Sequence, residues 1–73
     1  MRNGKHIHPD GDVVYYVSGM LHRTDGPAVL YTDGKTEWWL RGSRVSTIKE
    51  YRFTVNITDE EMASLVLKYG GLS

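Results

Sequence analysis

The fold is decided by a stretch that occurs twice, first as His8-Pro9-Asp10-Gly11-Asp12-Val13-Val14-Tyr15-Tyr16-Val17-Ser18-Gly19 and then as Tyr31-Thr32-Asp33-Gly34-Lys35-Thr36-Glu37-Trp38-Trp39-Leu40-Arg41-Gly42. The two copies lie 23 residues apart, and the Asp-Gly pair, the pair of aromatic residues and the final glycine coincide in both. A repeat of this length is one supersecondary unit used twice. The sequence therefore predicts two successive hairpin units of the same design.

Short turn sequences divide the two units into strands. Asp33-Gly34 lies between two runs rich in β-branched and aromatic residues, which predicts a type I′ hairpin turn with positive φ at both residues. Ser18-Gly19 and Arg41-Gly42 follow the aromatic pairs and predict turns of the same kind. The strands expected in this meander are Val13–Val17, Met20–Arg23, Ala28–Thr32, Thr36–Leu40 and Arg44–Ser46.

The tail of the chain has a different character. Apolar side chains alternate with polar ones from Tyr51 to Ile57, and a period of two predicts a strand with one buried face. Thr58 and Glu61 have the spacing of a capping box, which predicts a helix over Asp59–Tyr69. The apolar residues of that helix recur at i, i+3, i+4 and i+7 and form one stripe. They are Met62, Leu65, Val66 and Tyr69, and Gly70 follows as a C-terminal capping residue.

Together these patterns predict an α+β fold that is mainly β. We expect a single domain over residues 1–73, with hairpin units over 8–45 and a strand–helix cap over 50–73. The sheet is an antiparallel meander of five to six strands with one C-terminal helix packed on it. Because a helix this short is not stable alone in water, its apolar stripe must be covered. We expect it to cover the face formed by Tyr51, Phe53, Val55 and Ile57.

The composition excludes several classes of protein. The chain has 73 residues and no cysteine, which excludes disulfides and thiolate metal sites. Nine basic and nine acidic residues cancel, so no overall field attracts nucleic acid or an anionic membrane. No apolar run approaches the roughly 20 residues of a membrane span, and the first residues lack the apolar segment of a signal peptide. We therefore expect a cytoplasmic protein that does not contact a membrane.

The stretch from Leu21 to Gly42 resembles a known repeat. It contains His22-Arg23-Thr24-Asp25-Gly26-Pro27-Ala28, then Asp33-Gly34, then Trp38-Trp39 and Gly42. Phage and bacterial MORN-like repeat proteins carry similar units, often in tandem. The resemblance covers residues 8–45 and stops after Gly42, where Ser43-Arg44-Val45-Ser46 stands in place of a further unit. It implies successive β-hairpins in a small binding module of phage origin, and it implies no catalytic residues.

No set of residues with catalytic spacing emerges. The turn aspartates Asp10, Asp25 and Asp33 all precede glycine, where an aspartate bonds the local backbone and needs no chemical role. His6, His8 and His22 would make a metal site if they met in space, but only the first two share a spacing that brings them together. His22 is expected instead to pack or to bond a turn. We expect no catalytic residue, no metal and no cofactor.

The aromatic pairs indicate a binding surface instead. Neighbouring residues on a strand point to opposite faces, so one member of Tyr15-Tyr16 and one of Trp38-Trp39 faces outwards. Exposed Trp, Tyr and Arg side chains are enriched at the centres of protein interfaces. A host protein and a second copy of the chain are equally compatible with such a surface. The predicted partner-binding residues are Tyr16, Trp38, Trp39, Arg41, Arg44 and Arg52.

We therefore expect a non-enzymatic protein-interaction module. Given the resemblance, it is expected to be phage-encoded and to bind and inhibit a host protein, such as a CRISPR effector or another target of host takeover. A second hypothesis is a single-stranded nucleic-acid-binding domain, because Lys35–Arg52 holds five basic and two acidic residues among aromatic ones. The neutral net charge argues against that hypothesis. A homo-oligomeric structural protein is a third hypothesis, and a metal-dependent enzyme that uses the three histidines is a fourth.

Overall fold

The computed structural model describes residues 3–70, which contain seven short β-strands and two α-helices joined by loops. The ends of the predicted domain, residues 1–2 and 71–73, lie outside the described residues. The predicted α+β class with a mostly antiparallel sheet is confirmed. The elements are β1 Gly4–Ile7, β2 Val13–Val17, β3 Met20–Leu21, β4 Val29–Leu30, β5 Thr36–Glu37, β6 Trp39–Leu40, β7 Ser43–Arg44, α1 Ile48–Val55 and α2 Asp59–Tyr69.

The strands form a five-stranded antiparallel sheet and a separate two-stranded one. In the larger sheet the order is β1-β2-β4-β5, and β3 also pairs with β2. In the smaller sheet β6 pairs with β7. The backbone links the two sheets, because the N–H of Gly42 donates to the carbonyl of Leu21 and the N–H of Arg23 donates to the carbonyl of Trp39.

The two units share hydrogen bonds as well as sequence. The N–H of His8 donates to the carbonyl four residues further on at 2.8 Å, and the N–H of Tyr31 makes the same bond at 2.9 Å. The carboxylates of Asp10 and Asp33 each accept from the N–H two residues further on, at 3.1 and 3.0 Å. Asp10 and Asp33 therefore hold the local backbone as predicted, and the 23-residue offset relates equivalent places in the structure. At Asp25 the carboxylate instead accepts from the side-chain Nε of Arg23 at 2.8 Å.

One predicted turn type is wrong and two are confirmed. Asp33 has no positive φ and only Gly34 does, at 92°. The Asp-Gly segment is therefore not a type I′ turn. It belongs to a longer loop, in which the N–H of Tyr31 donates to the carbonyl of Lys35 and the N–H of Lys35 donates to the Asp33 carboxylate. At Ser18-Gly19 the φ angles are 50° and 81°, and at Arg41-Gly42 they are 51° and 79°. Both are two-residue loops with positive φ at each position, as a type I′ turn requires.

The strand limits agree with the prediction only at β2. Strands β3 and β4 are shorter than predicted, and β7 starts one residue earlier. The predicted strand Thr36–Leu40 is interrupted at Trp38, whose carbonyl accepts from the N–H of Val45 at 2.7 Å. Strand β1 was not predicted, because Lys5 and His6 interrupt any apolar alternation there.

The prediction of a strand over Tyr51–Ile57 and of a single helix is wrong, because this segment forms most of α1. The hydroxyl of Thr47 accepts from the N–H of Glu50 and caps the helix N-terminus. Asn56 ends the helix in the left-handed conformation, with φ 58° and ψ 46°. Residues that alternate with period two also include pairs four apart, which share a helix face. The alternation of this segment therefore fits both structures.

Helix α2 has the predicted limits and the predicted capping box. Thr58 and Glu61 exchange hydrogen bonds of 3.1 Å between side chain and backbone in both directions. Gly70 follows the helix, but its ψ of 164° places it outside the left-handed conformation that was expected.

The core lies between the second hairpin unit and the helices. Its buried residues include Trp38, Tyr51 and Met62, and the remainder of the α2 stripe packs against them half-buried. The prediction that one face from Tyr51 to Ile57 is covered is wrong at Phe53, whose side chain is 83% exposed. No helix within residues 3–70 is long and apolar enough to cross a membrane.

Candidate functional site

The three arginines predicted to bind a partner line different recesses. Arg44 lies in a recess beside Tyr31, Glu37 and Tyr69. Arg41 lies in a second recess with side chains of the first hairpin unit. Arg52 lies in a groove between the two helices.

The tryptophan pair is divided between the core and the surface. Trp38 is 1% exposed and packs edge-on against Tyr51, with the ring centroids 4.7 Å apart. Within residues 3–70 its indole nitrogen is buried without a hydrogen-bond partner. Trp39 is half-buried, and its indole N–H donates to Glu37 at 3.0 Å. Trp38 is therefore a packing residue in this state, and Trp39 is the outward-facing member of the pair.

Trp39 has an arginine neighbour across the strand pair. It lies opposite Arg44 in the β6–β7 register. A guanidinium nitrogen of Arg44 lies 4.0 Å from the Glu37 carboxylate that accepts the indole hydrogen bond. Since Arg44 is half-exposed, this ion pair is weak in water. The indole N–H of Trp39 is therefore bound to Glu37, and Arg44 lies beside the same carboxylate.

The other two residues predicted on the sheet lie near histidines. The half-buried ring of Tyr16 meets the His6 ring edge-on at 5.4 Å. The backbone N–H of Arg41 donates to Nδ1 of His22 at 2.9 Å. His22 therefore bonds a turn, although it is the Arg41-Gly42 turn and not the nearby turn at Asp25.

The three histidines do not meet in a metal site. Within residues 3–70 no three His, Cys, Asp or Glu side chains are close enough to hold an ion. Nδ1 of His22 is occupied by the backbone, and Nε2 of His6 is buried.

Arg23 makes hydrogen bonds to three different residues through its guanidinium. It donates to the Asp25 carboxylate at 2.8 Å, to the carbonyl of Pro27 at 3.1 Å and to the hydroxyl of Tyr69 at 3.0 Å. Its guanidinium also lies 4.0 Å from the centroid of the Tyr15 ring. Burial alone would lower the pKa of Arg23, but its hydrogen bonds to Asp25 and Tyr69 raise it. Arg23 thus connects strand β2, the loop between β3 and β4, and helix α2.

Tyr51 joins α1 to the same loop. Its hydroxyl donates to the carbonyl of Arg23 at 2.6 Å and accepts from the N–H of Gly26 at 3.3 Å. Burial is the main cause that raises the pKa of this phenol to about 12. Gly26 has a φ of 153°, and a Cβ there would lie 2.9 Å from the Tyr69 ring. The segment His22-Arg23-Thr24-Asp25-Gly26-Pro27-Ala28 is therefore used to dock the helices onto the sheet.

Two large apolar side chains of the helices are more than 80% exposed. Leu67 on α2 is 88% exposed and Phe53 on α1 is 83% exposed. Leu67 lies on the wall of the groove between the helices, which has a volume of about 760 Å³. Its apolar lining includes Ile48, Met62, Ala63 and Val66, and Lys49, Arg52 and Asp59 complete it.

This groove was not predicted from the sequence. Leu67 lies outside the i, i+3, i+4 stripe of α2. Its position on the helix could therefore have predicted an exposed apolar side chain. Phe53 was assigned to the buried face of a strand, so its exposure on a helix could not be anticipated. Arg52 is the one predicted residue in the groove, and its Nε lies 3.2 Å from the carboxylate of Asp59.

Comparison of the chain with models of protein families, with curated proteins and with solved structures found no match.

Proposed function

We propose that this chain is a non-enzymatic module that binds a protein of the host cell and inhibits it by covering part of its surface. The observation that carries the proposal is Leu67, a large apolar side chain that is 88% exposed beside a groove lined mainly by apolar residues. Apolar surface of this kind commonly marks an interaction site. The resemblance to phage MORN-like repeat proteins supports a phage origin and action in the host cytoplasm.

The occupant that this groove fits is an amphipathic helix of the partner. Two helices that leave a groove between them can take a third, which buries its apolar face there. Met62, Ala63 and Val66 supply the floor and Leu67 supplies a wall. The partner helix therefore needs a large apolar side chain at the site of contact.

The charges at the groove favour an acidic residue on the partner. Arg52 is paired with Asp59 inside the groove. Lys49 also lines the groove, and it forms no ion pair within residues 3–70. A carboxylate on the partner helix would pair with Lys49 and set the direction of the bound helix.

The experiment is affinity capture from bacterial lysate with the tagged protein, with and without nuclease, followed by binding measurements on the purified partner. Leu67→Gln removes the exposed apolar side chain, and Val17→Thr is the matched control on the sheet, where Val17 is 46% exposed. We expect Leu67→Gln to weaken binding by roughly tenfold or more. Val17→Thr is expected to leave the affinity unchanged, and the bound partner is expected to lose activity.

Three results would contradict the proposal. Equal affinities for both variants would exclude the groove as the binding site. Recovery of nucleic acid alone, released by nuclease, would favour a single-stranded nucleic-acid-binding domain, with binding that falls steeply as the salt concentration rises. A partner that is bound at the groove without any loss of its activity would contradict inhibition and keep the interaction.

A further inference from the structure

The repeat provides an internal comparison for the edge strand β1. By the 23-residue offset, β1 corresponds to the segment that contains β4, and each precedes an Asp-Gly loop. Strand β4 pairs with β5 on one side and with β2 on the other. Strand β1 pairs with β2, and within residues 3–70 no strand lies on its outer side. The place that β2 occupies beside β4 is therefore open beside β1.

The backbone groups of Lys5 and Ile7 point towards this open side. Tyr15 donates its N–H to Ala28 and accepts from the N–H of His22, so its backbone groups point away from β1. Lys5 lies opposite Tyr15 in the β1–β2 register. In an antiparallel pair such a residue is not hydrogen-bonded to its opposite neighbour, and its own N–H and C=O point outwards. The same holds two residues further on at Ile7.

The equivalent positions in the second unit show what these groups can bind. Ala28 corresponds to Lys5, and its carbonyl accepts from the N–H of Tyr15 at 2.8 Å. Leu30 corresponds to Ile7, lies opposite Val13 and is half-buried, whereas Ile7 is 66% exposed. An antiparallel strand thus fits this edge geometry and covers the side chain at the position of Ile7.

We propose that the occupant of this edge is β1 of a second copy, so that two molecules form a continuous sheet across a two-fold axis. An isologous contact of this kind closes on itself and pairs the outer edge of β1 in both copies. In the second hairpin unit, α1 and α2 pack on the core residues Trp38, Leu40 and Val45. The joined pair would therefore have its β1 edges paired in the middle, with the helices packed on the second hairpin unit of each copy.

The sequence of β1 selects one register for this contact. With Lys5 opposite Ile7 of the second copy, both outward-facing residues of each strand are paired, which gives four hydrogen bonds. A shift that pairs Ile7 with its own copy brings Lys5 opposite Pro9, which has no N–H to donate. The opposite shift places the two Lys5 side chains against each other, and like charges there are destabilising. The favoured register leaves His6 opposite His6.

The contact is tested by sedimentation velocity over a concentration series at neutral pH and low salt. We expect the natural chain to dimerise. Ile7→Pro removes an outward N–H that makes no bond within the monomer, and it is expected to give a monomer with unchanged circular dichroism. Ile7→Lys places Lys against Lys5 and Ile7→Glu places Glu against Lys5. We expect the dissociation constants of these two variants to differ by roughly tenfold or more, with Ile7→Glu the tighter.

The pair of charged variants separates the register from a general loss of apolar surface, since both remove the isoleucine. Similar dissociation constants for Ile7→Lys and Ile7→Glu would overturn the proposed register. A natural chain that is monomeric at all concentrations up to about 1 mM, or a dimer that persists in Ile7→Pro, would overturn the contact itself. The proposed helix groove shares no residue with β1, so Leu67→Gln should leave the dimer intact whether or not a host protein binds there.

Discussion

The hydroxyl of Tyr51 lies 2.6 Å from the backbone carbonyl of Arg23 and ties helix α1 to the loop between β3 and β4. The same hydroxyl accepts from the N–H of Gly26, and the phenol ring packs edge-on against Trp38. Because Tyr51 is fully buried, water cannot replace either bond. One side chain therefore supports both the helix and the bend that precedes β4.

We expect Tyr51→Phe to destabilise the protein by about 1–3 kcal/mol, because it leaves two buried backbone groups without partners. Urea unfolding followed by circular dichroism measures the free energy of unfolding. Tyr31→Phe is the matched control, since the same hydroxyl is removed from a residue that is 38% exposed. We expect the control to change stability by less than about 0.5 kcal/mol. Equal effects of the two variants would show that the Tyr51 hydroxyl is not a buried tie.

The stability of the protein is expected to fall in alkali because of Tyr51. Burial raises the pKa of this phenol to about 12, whereas an unfolded tyrosine titrates at about 10. Between these values the unfolded chain releases the proton that the folded state retains, so rising pH favours unfolding. The contribution of this group is complete below about pH 10 and is lost by about pH 12, and it amounts to at most about 2.7 kcal/mol.

The measurement is the free energy of unfolding of the natural chain and of Tyr51→Phe between pH 8 and 12. The difference between the two proteins should shrink as the pH rises through this range. Tyr31, whose pKa is raised by burial, and Tyr69, whose pKa is lowered by its hydrogen bond to Arg23, are present in both proteins, so their contributions cancel in the difference. A constant difference across the range would mean that the phenol is not desolvated in the folded state.

Gly26 is expected to tolerate no side chain. Its φ of 153° is rare for other residues, and a Cβ would lie 2.9 Å from the Tyr69 ring and 3.1 Å from Cζ of Arg23. At Gly34, where φ is 92°, a Cβ would meet nothing within 4 Å. We expect Gly26→Ala to cost roughly 2 kcal/mol or more, and Gly34→Ala to cost about 1 kcal/mol from backbone strain alone. Thermal unfolding measures the loss of stability in each variant, and the difference between them is the cost of the steric contacts at Gly26. Equal losses in the two variants would show that a Cβ at Gly26 makes no unfavourable contact.

The elements that were predicted correctly have local signals that agree with the tertiary structure. Helix α2 has a capping box, and its apolar stripe is the face that packs on the core. The turns at Ser18-Gly19 and Arg41-Gly42 each contain a glycine, which adopts positive φ without steric cost, at the point where a strand ends. In these places the chain makes its structure from neighbours in sequence, so the sequence alone was enough.

The elements that were missed depend on contacts between distant residues. Strand β1 has a sequence without strand character and forms because β2 offers it a pairing edge. The strand over residues 36–40 is interrupted at Trp38, where the ring turns inward to meet Tyr51. That contact decides which tryptophan is buried, and nothing in the pair itself distinguishes the two. The exposed apolar groove likewise depends on how the two helices pack against each other, which no local pattern in the sequence determines.

The motif His22-Arg23-Thr24-Asp25-Gly26-Pro27-Ala28 is explained by packing. Arg23 donates to Asp25, to Pro27 and to Tyr69, and Gly26 is the place where the Tyr69 ring approaches the backbone. Each of these roles is structural, which agrees with a chain whose candidate surfaces lie elsewhere, at the helix groove and at the edge of β1. A change in this motif should therefore lower stability and partner binding together, whereas Leu67→Gln should lower binding alone.

The assignment of residues 48–55 to a helix can be tested at Thr54, whose side chain is exposed on α1. Alanine has a higher helix propensity than threonine, and threonine has the higher strand propensity. In the helix, Thr54→Ala is expected to stabilise the protein by up to about 0.5 kcal/mol. In the strand that the alternation predicted, Thr54→Ala would destabilise the protein.

Thr47→Ala, which removes the hydroxyl that caps α1, is expected to destabilise the protein by about 1 kcal/mol. Urea unfolding should show that the free energy of unfolding rises in Thr54→Ala and falls in Thr47→Ala. A loss of stability in Thr54→Ala would favour the strand over the helix at residues 48–55.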